Sequence, residues 1–513
     1  MRTKKTLLLT FLLLSFAIFT AKSENYPPQI ANDSTGQSQV LTPQQSKTSG
    51  SVTIAGKRID YDATAGTLIL KNQKNKPTIS MSYVAYLKKG ESNKANRPIT
   101  FIYNGGPGSS SSWLHMASWG PQIFDIEDLQ YAKAPFKTKN NDNSLLDASD
   151  LVFIDAPGTG FGQIITKEMG GAGTREDFFG TDQDGMAFAN FIYEYITENN
   201  RWNSPKYLFG ESYGTLRSPV VARDLQRMGI SLNGIIQLSQ LLSYMNASRA
   251  IPENPGADLN YVLMFPTYAA TAYYHNKTAH QSTDLETFLK EVEDFTAHQY
   301  ATALSKGVNL DDATKQQVAQ KMHEYTGLPI NYLLKANLRV KQPQFTQNLL
   351  GDKNQITGRL DTRFTGDAIN PLSENAQYDP MGAHTGAALS AVLNTYFRET
   401  LKFGEGMHYK TSGNVRPWKY TRRGEFGFPN VMGDLAETMI VNPTMKVMVN
   451  SGYFDLSTPY YQGKYEMAHL LIPKHIYENI EFKYYQAGHM VYLHPESFKE
   501  LHDNVADFIK RSY

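Results

Sequence analysis

The pentapeptide GESYG, residues 210 to 214, constrains the fold of this chain more than any other stretch. An apolar run from Tyr207 to Phe209 precedes it and predicts a strand, whereas the apolar periodicity from about Leu216 to Met228 predicts a helix. A serine between two glycines at a strand-to-helix junction is typical of a nucleophile elbow, a sharp turn that exposes the serine hydroxyl. The N–H groups at the start of the helix can then stabilise a developing oxyanion. An isolated match is weak evidence, because such pentapeptides are common by chance.

A second glycine-rich motif, Asn104-Gly105-Gly106-Pro107-Gly108, directly follows the strand-like run from Ile99 to Tyr103. Glycines allow the backbone to approach a substrate closely and to direct an N–H group at it. Such a loop supplies the second half of an oxyanion hole in hydrolases that have a nucleophile elbow. The alternative is an ordinary Gly/Pro turn between a strand and a loop.

Two further candidates lie near the C-terminus, each just past a strand-like run. Asp455 follows residues 446 to 450, and His489 follows residues 480 to 485. Together with Ser212 they occur in the chain order Ser, Asp, His that the α/β-hydrolase fold requires. A lone Asp or His after a strand is usually a turn residue, but four such motifs rarely coincide. We therefore interpret Ser212, Asp455 and His489 as a catalytic triad.

The motifs together resemble the serine carboxypeptidase family, and its cysteine-free bacterial branch most of all. The resemblance comprises NGGPG followed by serines, DAPGTGFG at residues 155 to 162, GESY at 210 to 213 and AGHM at 487 to 490. It covers most of the chain from about Ser51 onward. It implies an α/β-hydrolase fold, with a mixed sheet flanked by helices and a large, mostly helical cap insertion. It also implies exopeptidase activity on peptides with a free C-terminus.

The resemblance further implies a role for each matched residue. Ser212 would be the nucleophile, His489 the general base and later acid, and Asp455 the group that orients the imidazole. The oxyanion hole would be formed by the backbone N–H groups of Gly106 and Tyr213. Three residues would bind the free α-carboxylate of the substrate: Asn104, Gly105 and Glu211.

Glu211 distinguishes this family from other serine hydrolases. A carboxyl group beside the nucleophile repels a carboxylate substrate unless it is protonated, and burial can raise its pKa enough for that. Most relatives carry a second Glu two residues before a Gly-Pro pair, whereas this chain has Ser118 there. We expect the Ser118 hydroxyl to donate to an ionised Glu211, so that Glu211 loses its proton at lower pH than in relatives. Further departures from the family pattern are Ser109, where many relatives have cysteine, and Thr215, which replaces a small residue.

The N-terminus predicts export. Basic residues at positions 2, 4 and 5 precede an apolar run over 7–19, which is typical of a signal peptide cleaved after Ser23. The run is too short to span a bilayer comfortably, so we expect no membrane anchor. The chain has no cysteine, and secreted eukaryotic enzymes of this kind generally use disulfides. We therefore expect a bacterial periplasmic or extracellular protein.

The pattern of apolar segments predicts five regions. A signal peptide occupies 1–23 and a flexible leader, rich in Gln, Ser, Thr and Pro, occupies 24–50. The two halves of the hydrolase domain occupy 51–240 and 441–513, where strand signals are strong. Helical patterns dominate 241–440, which we interpret as the cap insertion over the active site.

Charge and composition exclude several other functions. The 50 basic and 49 acidic residues nearly balance, with no basic cluster, so we expect no nucleic acid partner. The pairs His275 with His280 and His489 with His494 lack helical metal-ligand spacing and nearby acidic residues, so we expect no metal and no cofactor. Two alternatives remain open: an esterase, acyltransferase or aminopeptidase-like hydrolase on the same fold, and a non-catalytic binding protein. The sequence leaves side-chain preference and oligomeric state open.

Overall fold

The computed structural model describes residues 42–125, 133–247, 255–422 and 427–513. The predicted signal peptide and residues 24–41 of the predicted leader lie outside these residues. The leader was expected to extend to Gly50, whereas strand β1 begins at Gln45 and ends at Ile54. β1 pairs with β2 (Lys57–Lys71) along its whole length, so main-chain hydrogen bonds hold a strand whose polar composition is typical of a flexible segment.

Most of the strands belong to one large mixed sheet. Nine of them form a path of hydrogen-bonded neighbours in the order β1-β2-β3-β7-β4-β9-β10-β13-β14, and β8 pairs with β3. From β7 to β14 all neighbours are parallel, whereas β1, β2, β3 and β7 pair antiparallel. The remaining strands of this sheet are β3 Pro77–Lys88, β4 Ile99–Tyr103, β7 Asp150–Ile154, β8 Gln163–Ile164, β9 Lys206–Glu211, β10 Gly234–Leu238, β13 Lys446–Gly452 and β14 Ile480–Tyr485.

The central strands are buried on both faces, as their continuous apolar runs predict. Every residue of β4, β7, β9 and β10 is buried. Helices α1 (Thr181–Glu198) and α2 (Tyr213–Arg227) contribute to the core on one face of the sheet, and α13 (Pro495–Arg511) to the core on the other. The fold class predicted from the sequence, an α/β hydrolase with a mixed sheet flanked by helices, is confirmed.

The chain between β10 and β13 is mostly helical. It contains two small strands, β11 (Gln355–Thr357) and β12 (Thr365–Asp367), which pair with each other. Its helices are α3 Leu259–Tyr274, α4 Leu285–Phe295, α5 Ala301–Ser305, α6 Asp312–Thr326, α7 Ile330–Lys335, α8 Gln342–Asn348, α9 Pro380–Thr395 and α10 Met432–Val441.

This helical region has a third hydrophobic core, which extends to the loop after β13. In α4 the buried side chains recur at helical spacing, and the Asp284 carboxylate caps the helix by accepting from the Thr287 N–H group at 3.0 Å. Phe454 and Leu456, on either side of Asp455, belong to the same core. Packing of the inserted helices therefore helps to position the loop that carries Asp455.

Two smaller pairs of elements complete the description. Strands β5 (Gln122–Asp125) and β6 (Lys137–Asn140) form a separate antiparallel pair. Helices α11 (Tyr460–Ala468) and α12 (Lys474–Tyr477) connect β13 to β14. Within the four described ranges, no helix has the length and apolar character needed to cross a membrane.

Candidate active site

Ser212 occupies the sharp turn between β9 and α2. Its backbone has φ 59° and ψ −126°, a conformation that costs a non-glycine residue about 1–3 kcal/mol and is concentrated at functional sites. The flanking glycines are sterically required. A Cβ atom on Gly210 would lie 2.4 Å from the Gly214 carbonyl oxygen, and one on Gly214 would lie 2.9 Å from the Tyr103 carbonyl oxygen. The local geometry is therefore the nucleophile elbow that the sequence predicts.

Thr215, which was expected to depart from the family pattern, contributes to this turn. Its hydroxyl donates to the Ser212 carbonyl at 2.6 Å and accepts from the Leu241 N–H group at 2.8 Å. The hydroxyl thus links the elbow to the segment that follows β10. A smaller side chain without a hydroxyl could not make this link.

Asp455 and His489 lie at the carboxyl ends of neighbouring parallel strands, β13 and β14. The His489 Nδ1 and Asp455 Oδ2 atoms are 2.7 Å apart, and both side chains are buried. The Asp455 carboxylate also accepts from the N–H groups of Ser457 and Thr458 and from the Thr458 hydroxyl, at 2.6 to 3.0 Å. Burial lowers the pKa of His489, but the adjacent Asp455 carboxylate outweighs burial and the net pKa is raised.

Ser212 and His489 both line a cavity of about 480 Å³. The His489 loop is fixed from two sides, because its N–H group donates to the Leu360 carbonyl and its carbonyl accepts from the Ser239 hydroxyl, each at 2.6 Å. Ser212, on a strained turn, therefore shares a cavity with the His489 imidazole, whose Nδ1 atom contacts the buried Asp455 carboxylate. This arrangement is suited to nucleophilic catalysis with general base assistance.

The glycine loop after β4 packs directly against the elbow. A Cβ atom on Gly105 would lie 2.4 Å from the Tyr213 backbone nitrogen, so only glycine permits this approach. Gly106 has φ 110°, a conformation that favours glycine, and it lines the cavity with Gly105 and Tyr213. The structure thus brings together the two segments that were predicted to form an oxyanion hole.

Glu211 is buried beside the nucleophile and is hydrogen-bonded to two side chains. The Tyr492 hydroxyl donates to its Oε2 atom at 2.9 Å, and the Asn104 side chain forms the other hydrogen bond. Asn104 Oδ1 accepts from the Leu114 N–H group at 3.0 Å, so its amide NH₂ group is the donor toward Glu211. Burial is the main cause that raises the pKa of Glu211 to about 7, against the lowering effects of His489 and these hydrogen bonds. The carboxyl is therefore mostly protonated below neutral pH.

The prediction that the Ser118 hydroxyl donates a hydrogen bond to Glu211 is wrong. Ser118 is buried in the helical turn Leu114–Trp119, and its hydroxyl has no hydrogen-bond partner among the described residues. Tyr492 donates to Glu211 instead. Tyr492 lies three residues after His489, in the short helical turn Val491–Leu493. No recognisable pattern marked it in the sequence. Ser109, the other noted departure, lines the cavity.

Two buried ionisable residues, Arg217 and Glu466, support the site and were not identified from the sequence. Arg217 on α2 donates to Asp184 at 2.6 Å and to the Asn104 carbonyl at 2.7 Å, and both charged side chains are almost fully buried. Glu466 accepts from the N–H groups of Leu242 and Ser243 at 2.8 and 3.2 Å. Burial raises the pKa of Glu466 to about 7. These contacts hold the loops after β4 and β10, which both contribute to the cavity.

The chain between β10 and β13 supplies much of the remaining cavity wall. Its lining residues include Arg359 and Arg416, whereas Glu211 is the one acidic residue among the described lining residues. The other lining residues are mostly apolar or aromatic: Trp113, Leu241, Tyr244, Ala247, Leu360, Val415, Trp418, Tyr420, Phe428 and Met490.

The sheet order and the position of Ser212 after β9 define the class of the protein as an α/β hydrolase. The serine carboxypeptidase family model matches residues 64–475. The chain therefore belongs to the serine carboxypeptidase family, and its activity is that of a serine-type carboxypeptidase. A comparison with curated proteins found no match.

Solved structures resemble this chain at low sequence identity. Kex1(delta)p, a prohormone-processing carboxypeptidase from Saccharomyces cerevisiae, is 14% identical over 88% of this chain and 91% of its own, with a TM-score of 0.54. A carboxyl esterase from Bacillus coagulans is 13% identical over 87% and 98%, with a TM-score of 0.36. A proline iminopeptidase from Mycobacterium smegmatis is 11% identical over 91% and 98%, with a TM-score of 0.32. The likeness to Kex1(delta)p supports the assignment of the fold.

Proposed function

We propose that this carboxypeptidase releases C-terminal residues one at a time through an acyl-enzyme formed on Ser212. The observation that carries the proposal is the strained Ser212 backbone in a cavity shared with His489, beside the buried, protonatable carboxyl of Glu211. The strained turn supplies a nucleophile. A protonated carboxyl group next to it can accommodate a negatively charged chain end.

The reaction begins with attack of Ser212 Oγ on the scissile carbonyl carbon. His489 takes the hydroxyl proton and then gives it to the leaving amine, while Asp455 holds the imidazole and stabilises its charged form. The N–H groups of Gly106 and Tyr213 stabilise the negative charge on the carbonyl oxygen. Water then attacks the acyl-enzyme with the same proton transfers, and the shortened peptide leaves.

Restriction to the chain end follows from the group of Asn104, Gly105 and Glu211. In its neutral form Glu211 donates a hydrogen bond to the substrate α-carboxylate, and Asn104 and the Gly105 N–H group supply further donors. Leaving such buried donors unpaired costs about 1–3 kcal/mol each, so peptides with a blocked C-terminus bind less well.

We further propose that residues 241–440 form the cap that shapes the peptide site and that 1–23 directs export to a bacterial periplasm or exterior. The basic residues at positions 2, 4 and 5, followed by the apolar run over 7–19, support the second proposal. Peptides with a free C-terminus are the proposed partners, with no nucleic acid and no membrane anchor. An esterase, acyltransferase or aminopeptidase-like activity on the same site is the alternative, and comparison of free-acid with amidated peptides distinguishes it.

Replacement of the nucleophile tests the proposal, and a second serine in the cavity provides a matched control. Ser212→Ala should lower kcat on a blocked dipeptide by several orders of magnitude, whereas Ser109→Ala should retain most of the activity. A phosphonylating reagent followed by mass spectrometry should modify Ser212 and leave Ser109 unmodified. Near wild-type activity of Ser212→Ala, with a normal melting temperature, would overturn the mechanism.

A further inference from the structure

We infer that Arg359 and Arg416 make the cavity selective for peptides with an acidic side chain next to the scissile bond. This inference rests on the proposed function, since it concerns the substrate of the same site. Both arginines line the cavity that contains Ser212 and His489. They lie in the chain between β10 and β13.

Arg359 is held rigidly by the two loops that carry Asp455 and His489. Its carbonyl accepts from the Leu456 N–H group at 3.0 Å, and the next carbonyl, that of Leu360, accepts from the His489 N–H group at 2.6 Å. On the other side, the N–H groups of Arg359 and Leu360 both donate to Asp379 Oδ2, at 2.8 and 2.9 Å. The backbone of Arg359 is therefore fixed relative to the catalytic groups.

The Arg359 side chain is also oriented toward the reaction centre. Its Nη1 atom donates to the Ser457 hydroxyl at 2.5 Å, and the Ser457 N–H group donates to Asp455. The charge is near enough to His489 to lower the pKa of the imidazole in part. A guanidinium has five N–H donors in a planar fork, so a substrate carboxylate can be bound in addition to Ser457.

Arg416 supplies the second positive charge from a segment packed on the oxyanion loop. A Cβ atom on Gly108 would lie 2.7 Å from the Val415 side chain, which shows how closely this segment lies against the loop. The Arg416 carbonyl accepts from Arg175 Nη2 at 2.7 Å, whereas its side chain is exposed. Arg416 is therefore an exposed lining residue that a substrate side chain can contact.

The balance of charge in the cavity favours an anion. Its described lining residues include two arginines and one acidic residue, Glu211, which is mostly neutral below pH 7. An Asp or Glu side chain forms short, charge-assisted hydrogen bonds with arginine, while a Lys or Arg side chain is repelled. The α-carboxylate has its proposed partners in the Asn104 and Glu211 group, so it does not compete with a side-chain carboxylate for the arginines.

The test compares blocked dipeptides that differ only by Glu or Gln, placed at the residue before or after the scissile bond. Wild-type enzyme at pH 6 should prefer Glu over Gln at one of these positions by about tenfold or more in kcat/KM. Arg359→Gln should remove most of this preference, and the exposed Arg416→Glu should reduce it by about two- to fivefold. High salt should weaken the Arg416 contribution.

Arg58→Glu provides a matched control for Arg416→Glu, because it makes the same charge change on an exposed residue of β2, outside the cavity lining. The control should keep the full Glu preference. Equal rates on Glu and Gln peptides in active wild-type enzyme would overturn the inference and leave the proposed function intact. If Arg359→Gln instead abolished discrimination between free-acid and amidated peptides, the arginine would bind the chain end, and the inference would also be wrong.

Discussion

The pH dependence of Glu211 gives a quantitative prediction for substrate selection. With a pKa of about 7, the carboxyl group is about 90% protonated at pH 6 and about 10% protonated at pH 8. Only the protonated form donates to a substrate carboxylate. The preference for a free-acid dipeptide over its amide should therefore fall about tenfold between pH 6 and pH 8.

The assay is the ratio of kcat/KM for one blocked dipeptide to that of its C-terminal amide, measured from pH 3 to pH 9. The titration of His489 affects both substrates equally, so it cancels in the ratio. Glu211→Gln keeps the side-chain volume and an acceptor for the Tyr492 hydroxyl, but it does not titrate. Its ratio should be independent of pH.

Two results would refute this reasoning. If the ratio had the same pH dependence in wild type and Glu211→Gln, a group other than Glu211 would control recognition of the chain end. If the ratio in wild type declined near the usual glutamate pKa of ~4.3, burial would not hold the proton as the structure indicates.

Four further changes have defined outcomes. Tyr492→Phe removes a hydrogen bond that favours the charged form of Glu211, so the pH at which the free-acid preference declines should rise in the same assay. Gly105→Ala should lower the melting temperature and the activity, because its Cβ atom would contact the Tyr213 backbone. Arg217→Met leaves Asp184 buried without its partner and should cost about 3–5 kcal/mol in urea unfolding, which the added Asp184→Leu change should partly restore. The melting temperature of the wild type relative to that of Glu211→Gln should fall from pH 5 to pH 8, because Glu211 binds a proton that the unfolded chain has already released, and a relative increase would contradict its raised pKa.

The sequence predicted the central part of the fold well, because that part depends on local patterns. The runs Ile99 to Tyr103 and Ile480 to Tyr485 coincide with β4 and β14. Continuous apolar runs and amphipathic periods identify such elements without knowledge of the fold. Strand β1 was missed over residues 45–50 because its stability comes from pairing with β2 rather than from its own side chains.

Contacts between distant parts of the chain limited the prediction of the site. The triad and glycine-loop candidates were found because each lies in a short motif next to a strand. Tyr492 was missed because its contact with Glu211 joins residues 281 positions apart. The pairing of Arg217 with Asp184 and the approach of Arg359 to the Asp455 loop likewise depend on how elements pack. The neighbours of Ser118 were likewise not predictable from the sequence.

Analysis of products from an unblocked peptide tests the central claim most directly. A peptide of about ten residues with distinct residue masses is incubated with the enzyme, and its products are followed over time by mass spectrometry. The proposed mechanism predicts a series of products that lose single residues from the C-terminus, absent in Ser212→Ala and strongly reduced for the amidated peptide. Loss of residues from the N-terminus, internal cleavage, or equal turnover of the amidated peptide would contradict it.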